Sequence, residues 1–539
     1  MFSICFCSEA WTQSQGTQFY PWSSANRLAN RMEIKTADNF LTLSGSSQRY
    51  QRSVLELADS IMRSGGGQNE FTAVDIALMQ RMLNRFGKDH AGDGRKGFAS
   101  RGMMKSENDG FRFELNPVLG LQFGSEKTDD GSESVFFQSA GATASGELNG
   151  KFSFQVFGAG IREKVPQSIQ QYFIDHRVIP GAGDVNYKDK VASYFDFRGN
   201  VAAQITPYIR AEFGYGRHFL GNGYRSLYLS DFSPSQLYGK LDTRIWRLNY
   251  TNYFSRLAPS YNPDQNKRFD NKYSVMHRLS MNVLPWLQFG IFESIIFSRG
   301  GGYDLSYLQP VIFLRSIEQQ NGSPDNANLG GDFKITIQKQ AQIYGTLLLD
   351  EFLKDEVFGG RQWWGNKQGI QLGGKWVDAF GLPNFDLQAE VNNVRPFMYQ
   401  FRSPLGAYTH YHQPLAHPLG ANFREFVGIL NYRPHKNWNV FARINYWNQG
   451  TDSLSLNFGL DPNVSYNSRI RQHHYPMFAG GKQTGVNGAL TISYEPFQDA
   501  MIDLSVAGRR NEPVGVTASN SMMVSLGLRL NMYRRDFDF

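Results

Sequence analysis

The residues best suited to chemistry lie between Tyr408 and Phe426, which read YTHYHQPLAHPLGANFREF. His410, His412 and His417, three of the chain's ten histidines, fall there among aromatics, two prolines and a glycine. On an extended segment His410 and His412 share one face, a start for metal ligation by imidazole. A third ligand would have to come from His417, Glu425, His473 or His474. No defined ligand spacing supports that, so the favoured reading is neutral imidazoles hydrogen-bonded within a rim. No metal and no other cofactor is expected.

Two further groups have the right chemistry to handle sugars. Arg315, Glu318, Asp325 and Asn326, with Asp350 and Glu351, concentrate charge in a strand-like region. Facing a lumen, they would form either a network that folds loops inward or a carboxylate-bearing path for sugar hydroxyls. Two carboxylates about 5–9.5 Å apart across a cleft would suit glycoside hydrolysis. Trp363, Trp364, Asn366 and Lys367 combine stacking surface with amide and cationic donors, which matches the C–H faces and hydroxyl edges of pyranose rings. The alternative for this group is an interfacial girdle followed by a turn. Glu390, Asn392 and Arg395 read as a buried polar ladder, with Arg395 stabilising a wall. No G-x-S-x-G and no Ser/His/Asp set is evident. Arg299–Gly302 (RGGG) lacks the Lys-Ser/Thr end of a phosphate loop and reads as a turn.

The elements that must position these residues have a period of two. Phe385, Leu387, Ala389 and Val391 alternate with Asp386, Gln388, Glu390 and Asn392; Ile370, Leu372, Gly374 and Trp376 alternate with Gln371 and Lys375. Trp438 to Tyr446, Leu490 to Glu495 and Ile502 to Val506 behave alike. Each such strand has one apolar and one polar face. Charges in the middle of strands, and Tyr446 and Tyr494 near strand ends, favour a membrane barrel with a polar lumen over a soluble sandwich. From Met522 to Met532 the alternation runs nearly to Phe539, so the expectation is a closing strand with a terminal aromatic presented to the insertion machinery. About 16 to 18 strands fit between Phe111 and Tyr533. Longer irregular stretches are expected at 167–190, 262–272, 319–331 and 403–420, as surface loops or constrictions.

Composition agrees. The 539 residues carry a net charge of +7 without a Lys/Arg block, so a nucleic-acid partner is not expected. Aromatics make up 14%, with 42 Phe and 26 Tyr, and Gly reaches 54, a strand-and-turn composition. A mean hydropathy of −0.43 and the lack of an apolar run near ~18 residues exclude a helical membrane protein but not a barrel.

Residues 1–10 (MFSICFCSEA) resemble the apolar end of a secretory signal without its basic start, which points to a late start site or a clipped leader. With Cys5 and Cys7 removed, the chain has no cysteine. Residues 11–105 read as a helical N-terminal segment, periplasmic or plugging the barrel. Ser53–Met62 and Phe71–Phe86 carry helical spacing, Thr72 and Asp75 sit as a capping box, and Ser64–Gly67 and His90–Gly102 read as flexible runs. Residues 106–539 form the barrel.

Six motifs in one order carry a resemblance: GNGYRSLYLSDFSP (221–234), FLRSIEQQNGSPDNANLGGDFK (313–334), DEF (350–352), WWGNKQGIQLGGKW (363–376), EVNNVRPFMYQF (390–401) and YTHYHQPLAHPLGANFRE (408–425). Together they resemble the Wzi-type capsule-assembly family, above all its Bacteroidota, RemB-like branch. The resemblance covers roughly residues 205 to 430. It implies an outer-membrane β-barrel of about eighteen strands that engages exopolysaccharide and supports its attachment at the cell surface. The branch adds a link to adhesion or gliding. The candidate polysaccharide-binding residues are then Trp363, Trp364, Asn366, Lys367, Arg315, Glu318, Asp325, Asn326, Asp350, Glu351, Glu390, Arg395, His410, His412 and His417. The expected partners are outer-membrane lipid and surface polysaccharide, and no enzyme activity is expected. Competing readings are an outer-membrane hydrolase acting on glycan or lipid, and a passive porin or uptake channel. The helical segment is larger than the resemblance leads one to expect.

Overall fold

The computed structural model describes residues 24–37, 39, 48–63, 70–86, 104–108 and 110–539, apart from 184, 260–270, 352, 354, 357–358, 453–455 and 498. The leader with Cys5 and Cys7, the Ser64–Gly67 and His90–Gly102 runs and most of 262–272 lie outside the described residues.

Eighteen strands close into one antiparallel barrel. They are β1 (Phe111–Thr128), β2 (Gly131–Leu148), β3 (Phe152–Lys164), β4 (Val191–Gln204), β5 (Ile209–Gly216), β6 (Gln236–Ile245), β7 (Leu248–Leu257), β8 (Lys272–Leu284) and β9 (Leu287–Ser298). The second half comprises β10 (Asn326–Ile337), β11 (Ala341–Leu349), β12 (Gln368–Trp376), β13 (Phe385–Val394), β14 (Phe423–His435), β15 (Trp438–Gly450), β16 (Lys482–Phe497), β17 (Ala500–Glu512) and β18 (Ser519–Leu530). Each strand pairs with the next, and β18 returns to β1, with Leu530 opposite Leu119 and Ser521 opposite Thr128. Two short strands, Met104–Asn108 and Asn186–Lys188, add to the ladders of β1 and β4.

The barrel is inside-out. On β18 the side chains of Met522, Val524, Leu526 and Leu528 are all about half exposed, while Ser525 between them is buried. On β12 Ile370 and Leu372 are exposed and Gln371 is buried. An apolar outer band with polar groups turned inward is stable where the outer solvent is lipid. The protein is therefore a bacterial outer-membrane barrel. Trp246, Trp286, Trp376 and Trp438 are exposed at one rim, and Trp438 packs on Tyr494 at 4.9 Å, an interfacial girdle. No helix among the described residues is long and apolar enough to cross a membrane.

The two ends differ. At the girdle rim the strands are joined by short connections (205–208, 246–247, 285–286, 338–340, 377–384, 436–437 and 498–499). At the opposite rim most connections are long: 165–190, 217–235, 258–271, 299–325, 350–367, 395–422 and 451–481.

Helices α1 (Ser24–Thr36), α2 (Gln48–Arg63) and α3 (Ala73–Phe86) pack around Leu28, Met32, Val54, Leu55, Met79 and Leu83. The capping box forms: the Thr72 N–H donates to Asp75 Oδ2 (3.1 Å) and the Asp75 N–H to Thr72 Oγ1 (3.0 Å). The bundle seats on the short-turn rim. Arg31 donates to both Asp75 oxygens (2.8 and 2.9 Å), to Asp378 (2.9 Å) and to Asp386. Glu33 pairs with Lys334, and Arg81 lies 3.5 Å from Glu495. α1 was not legible in the sequence because it is covered on both sides. Arg31, Glu33 and Lys35 are as buried as Leu28 and Met32, so no polar stripe marks it.

Two expectations are corrected. Residues 326–331 are not irregular; they begin β10, while 319–325 lie in the loop that carries α4 (Leu314–Gln320). The final strand also stops at Leu530, and residues 531–539 turn into the lumen. Met532 is consequently buried against Val118, Phe137 and Phe157 instead of facing lipid, and Phe539 meets Tyr172 and Phe232.

Candidate functional site

Alternation points Glu390 and Asn392 of β13, Glu425 of β14 and Arg443 and Asn445 of β15 into the lumen, and all are buried. Asn392 lies opposite Glu425 in the β13–β14 ladder. Glu425 accepts hydrogen bonds from Arg225 (2.8 Å), Asn392 (3.1 Å) and Asn445 (3.1 Å), and contacts His417 Nε2 at 2.8 Å. Glu390 accepts the backbone N–H groups of Tyr224 (2.6 Å) and Arg225 (3.0 Å), the Tyr344 hydroxyl (2.8 Å) and the Asn392 amide (2.9 Å). These two wall carboxylates thus grip loop 217–235, whose Leu227, Tyr228 and Leu229 pack inside the barrel on Phe292, Leu348, Tyr399, Tyr408 and Phe423.

The C-terminal tail completes the network. Tyr533 donates to Asp196 (2.8 Å), Arg535 to Glu163 (2.9 and 3.0 Å), and Asp536 and Asp538 accept from Arg443 (2.6 Å) and Arg225 (3.0 Å). Asp538 also receives the Tyr224 hydroxyl. The lumen is filled by loops and tail, held by an apolar cluster of loop and wall residues together with charged and hydrogen-bonded contacts.

The three histidines do not converge. His410 accepts the Ala258 N–H at Nδ1 (2.8 Å) and donates from Nε2 to the Ser235 carbonyl (3.2 Å), pinning the 395–422 loop to two others. Burial lowers its pKa to about 4, so it is neutral. His417 accepts the Leu419 N–H at Nδ1 (3.2 Å), which leaves Nε2–H for Glu425. Burial lowers its pKa too, against the pull of Glu425. His412, with a left-handed φ of 60°, is lowered by burial and joins neither. Among the described residues no group of His, Cys, Asp and Glu is placed to hold a metal.

The predicted charged network separates into local pairs. Arg315 bonds to Glu318 (2.8 Å) within α4, Asp325 takes Arg299 (2.6 Å) and the Tyr307 hydroxyl (2.8 Å), and Asn326 donates to the Gly406 carbonyl (2.9 Å). Asp350 and Glu351 lie 3.6 and 3.1 Å from the buried ammonium of Lys367. The predicted ladder is also split: Asn392 and Glu390 belong to the lumenal network, whereas Arg395 braces the carbonyls of Asn366 and Tyr475 (both 3.2 Å).

The tryptophan group is not an open stacking platform throughout. Trp364 is buried, its indole N–H donates to Gln472 (2.8 Å), and its ring carries Arg469 at 4.2 Å and Lys367 at 5.3 Å, with Tyr466 at 4.7 Å. Trp363 is partly exposed beside it, at 5.5 Å. Asn366 donates to the Glu356 carbonyl (3.1 Å).

Sequence reasoning missed Arg225, Arg443, Asp536 and Asp538. Arg225 lies within the resembling stretch 221–234, and the terminal RRDFDF is a charged run just past the strand expected over Met522–Met532, which could have flagged the tail.

No family model matches the sequence, and no curated protein matches it. The fold is similar to that of Wzi of Escherichia coli, an outer-membrane protein involved in group 1 capsule assembly and described as a carbohydrate-binding β-barrel. The TM-score is 0.55 at 11% identity, over 97% of this chain and 99% of that one. Pseudomonas aeruginosa OprD aligns at TM-score 0.41 and 11% identity over 77% of this chain and 95% of that one. Acinetobacter baumannii OccAB4 aligns at 0.43 and 7%, over 79% and 98%.

Proposed function

We propose that this barrel binds or anchors polysaccharide at the cell surface, as a Wzi-type protein, without catalysing a reaction. A closer tie to the Bacteroidota, RemB-like branch, and with it to adhesion or gliding, is part of the same proposal. The observation that carries the reading is the filled lumen. An eighteen-stranded barrel is wide enough for an aqueous channel, yet loop 217–235, loop 395–422 and the tail enter it while the helical bundle sits over one mouth. Such a body suits holding a polymer at a rim better than conducting solute. Short turns of outer-membrane barrels face the periplasm and long loops the exterior. The bundle is then periplasmic, and the long loops meet the polymer.

The test is retention of detergent-purified protein on immobilised exopolysaccharide from its own host. We expect retention, and loss of it in Trp363→Ala with heat-modifiable migration unchanged. No retention at all sinks the reading. Ion conductance without polysaccharide binding would favour a channel, and product release from labelled glycan or lipid an enzyme.

A further inference from the structure

We propose that the long-loop rim around Trp363 and Trp364 is a subsite for acidic sugar units, with Arg402, Arg469 and Arg471 receiving their carboxylates. This rests on the polysaccharide reading and adds the class of polymer. Three loops build the rim as one unit. The backbone of 361–364 pairs with 472–475: Trp364 N–H donates to the Gln472 carbonyl (3.1 Å), His474 N–H to Arg361 (3.0 Å) and Tyr475 N–H to Gln362 (3.0 Å). Tyr466 N–H reaches the Phe401 carbonyl (3.3 Å), which ties in the third loop.

These three arginines are held by rings and carbonyls, not by acids. Arg469 lies over the Trp364 ring and donates to the Tyr466 carbonyl (3.1 Å), and its buried Nε has no partner. Arg471 lies over Tyr475 at 5.2 Å, and Arg402 over Phe401 at 5.2 Å while donating to the Pro324 carbonyl (2.6 Å). Among the described residues none of the three has a carboxylate partner, and Arg402 and Arg471 are exposed.

The carboxylates of the same loops are mostly engaged elsewhere. Glu356 holds Arg361, Asp350 and Glu351 hold Lys367, and Asp452 accepts the backbone N–H groups of Phe458, Leu460 and Asp461. Asp461 accepts from Asn463, and Asp355 is exposed. An arginine stacked on an aromatic face keeps its remaining in-plane N–H groups, beyond the one given to a carbonyl, for a carboxylate. Because the stacking already orders the guanidinium, little further freedom is lost when a ligand binds. Beside it, the partly open Trp363 ring offers a face for the sugar's C–H groups. A neutral glycan would use that ring but leave three cations unmatched.

The experiment compares binding of the detergent-solubilised full chain to polygalacturonate, to neutral dextran and to the host's exopolysaccharide. Polygalacturonate should bind at least about tenfold more tightly than dextran, weakening with salt. The triple variant Arg402→Gln/Arg469→Gln/Arg471→Gln should lose that preference and leave dextran binding unchanged, with heat-modifiable migration as the folding control. The corresponding triple Lys variant should recover part of it. Equal binding of dextran and polygalacturonate by the unaltered chain overturns the proposal, as does full polygalacturonate binding by the Gln triple. If the host polymer is bound but is indifferent to the Gln triple, only the acidic subsite falls. If no polymer is bound, the polysaccharide reading falls with it.

Discussion

Replacing Glu425 with Gln keeps the size of the side chain and removes the charge that joins three lumenal segments to the wall. Arg225 of loop 217–235, His417 of loop 395–422 and, through Arg225, Asp538 of the tail all converge on it. Both members of the Arg225–Glu425 pair are buried, with side-chain exposures of 6% and 0%. Breaking such a pair costs about 3–5 kcal/mol, since one charge stays buried without its partner. Arg225 keeps Asp538 at 3.0 Å, which places the expected loss near the lower end, about 3 kcal/mol. The new amide also points N–H groups at donors that formerly met an anion. Urea unfolding of vesicle-reconstituted protein measures the loss, and Arg225→Gln completes a double-mutant cycle. The double variant should cost about 2 kcal/mol less than the sum of the singles, because the second change removes the stranded charge. A single-variant loss below about 1 kcal/mol, or additivity across the cycle, would refute the idea that this pair organises the lumen.

Three further outcomes follow from the same structure. A chain ending at Leu530 lacks the tail and should conduct more in planar bilayers than the full chain; equal conductance would mean that the tail is not part of the plug. Arg31→Met removes the guanidinium that bridges Asp75 to Asp378 and Asp386, so limited proteolysis should detach the 24–86 region while the barrel keeps its heat-modifiable migration. His410 has its pKa lowered to about 4 by burial, whereas unfolded it titrates near 6.5. The unfolded state therefore takes up the proton first. This contribution is complete above about pH 6.5 and is lost as pH falls toward 4, at up to about 1.4 kcal/mol per pH unit. His410→Gln, whose amide offers the same acceptor and donor, should flatten that slope of the unfolding midpoint against pH.

The wall of the barrel was legible because few folds besides a membrane barrel combine period-two alternation with charge in the middle of strands, and the β12 and β13 patterns read from sequence are the ones observed. The contents of the lumen were not legible. Whether Glu318 and Asp325 share a network with Asp350 depends on which loops meet, and no local pattern encodes that. Trp363 and Trp364 are adjacent in sequence, yet one ring is partly open and the other is enclosed between Arg469, Lys367 and Tyr466. Burial of this kind is a tertiary fact. The tail misled for a physical reason: Leu528, Leu530 and Met532 continue an apolar alternation, but Met532 finds an apolar patch inside the lumen instead of lipid outside.

Filling a polar lumen with charged segments carries a desolvation penalty that an apolar plug would avoid, but an apolar plug would strand the wall. Glu163 and Arg443 are buried on strands and need charged partners. The tail supplies them in one register. In an extended segment successive side chains point to opposite sides, so Arg535 reaches Glu163 while Asp536 and Asp538 reach Arg443 and Arg225. A slip of one residue would turn the carboxylates toward Glu163 and set rings against the arginines. Like charges at those distances in a partly dry lumen repel strongly, so the slipped tail would not seat. The charge pattern of the last residues is therefore an address as well as a tether. The same pairing explains why the residues after Leu530, including Met532 from the expected strand, settle inside the barrel.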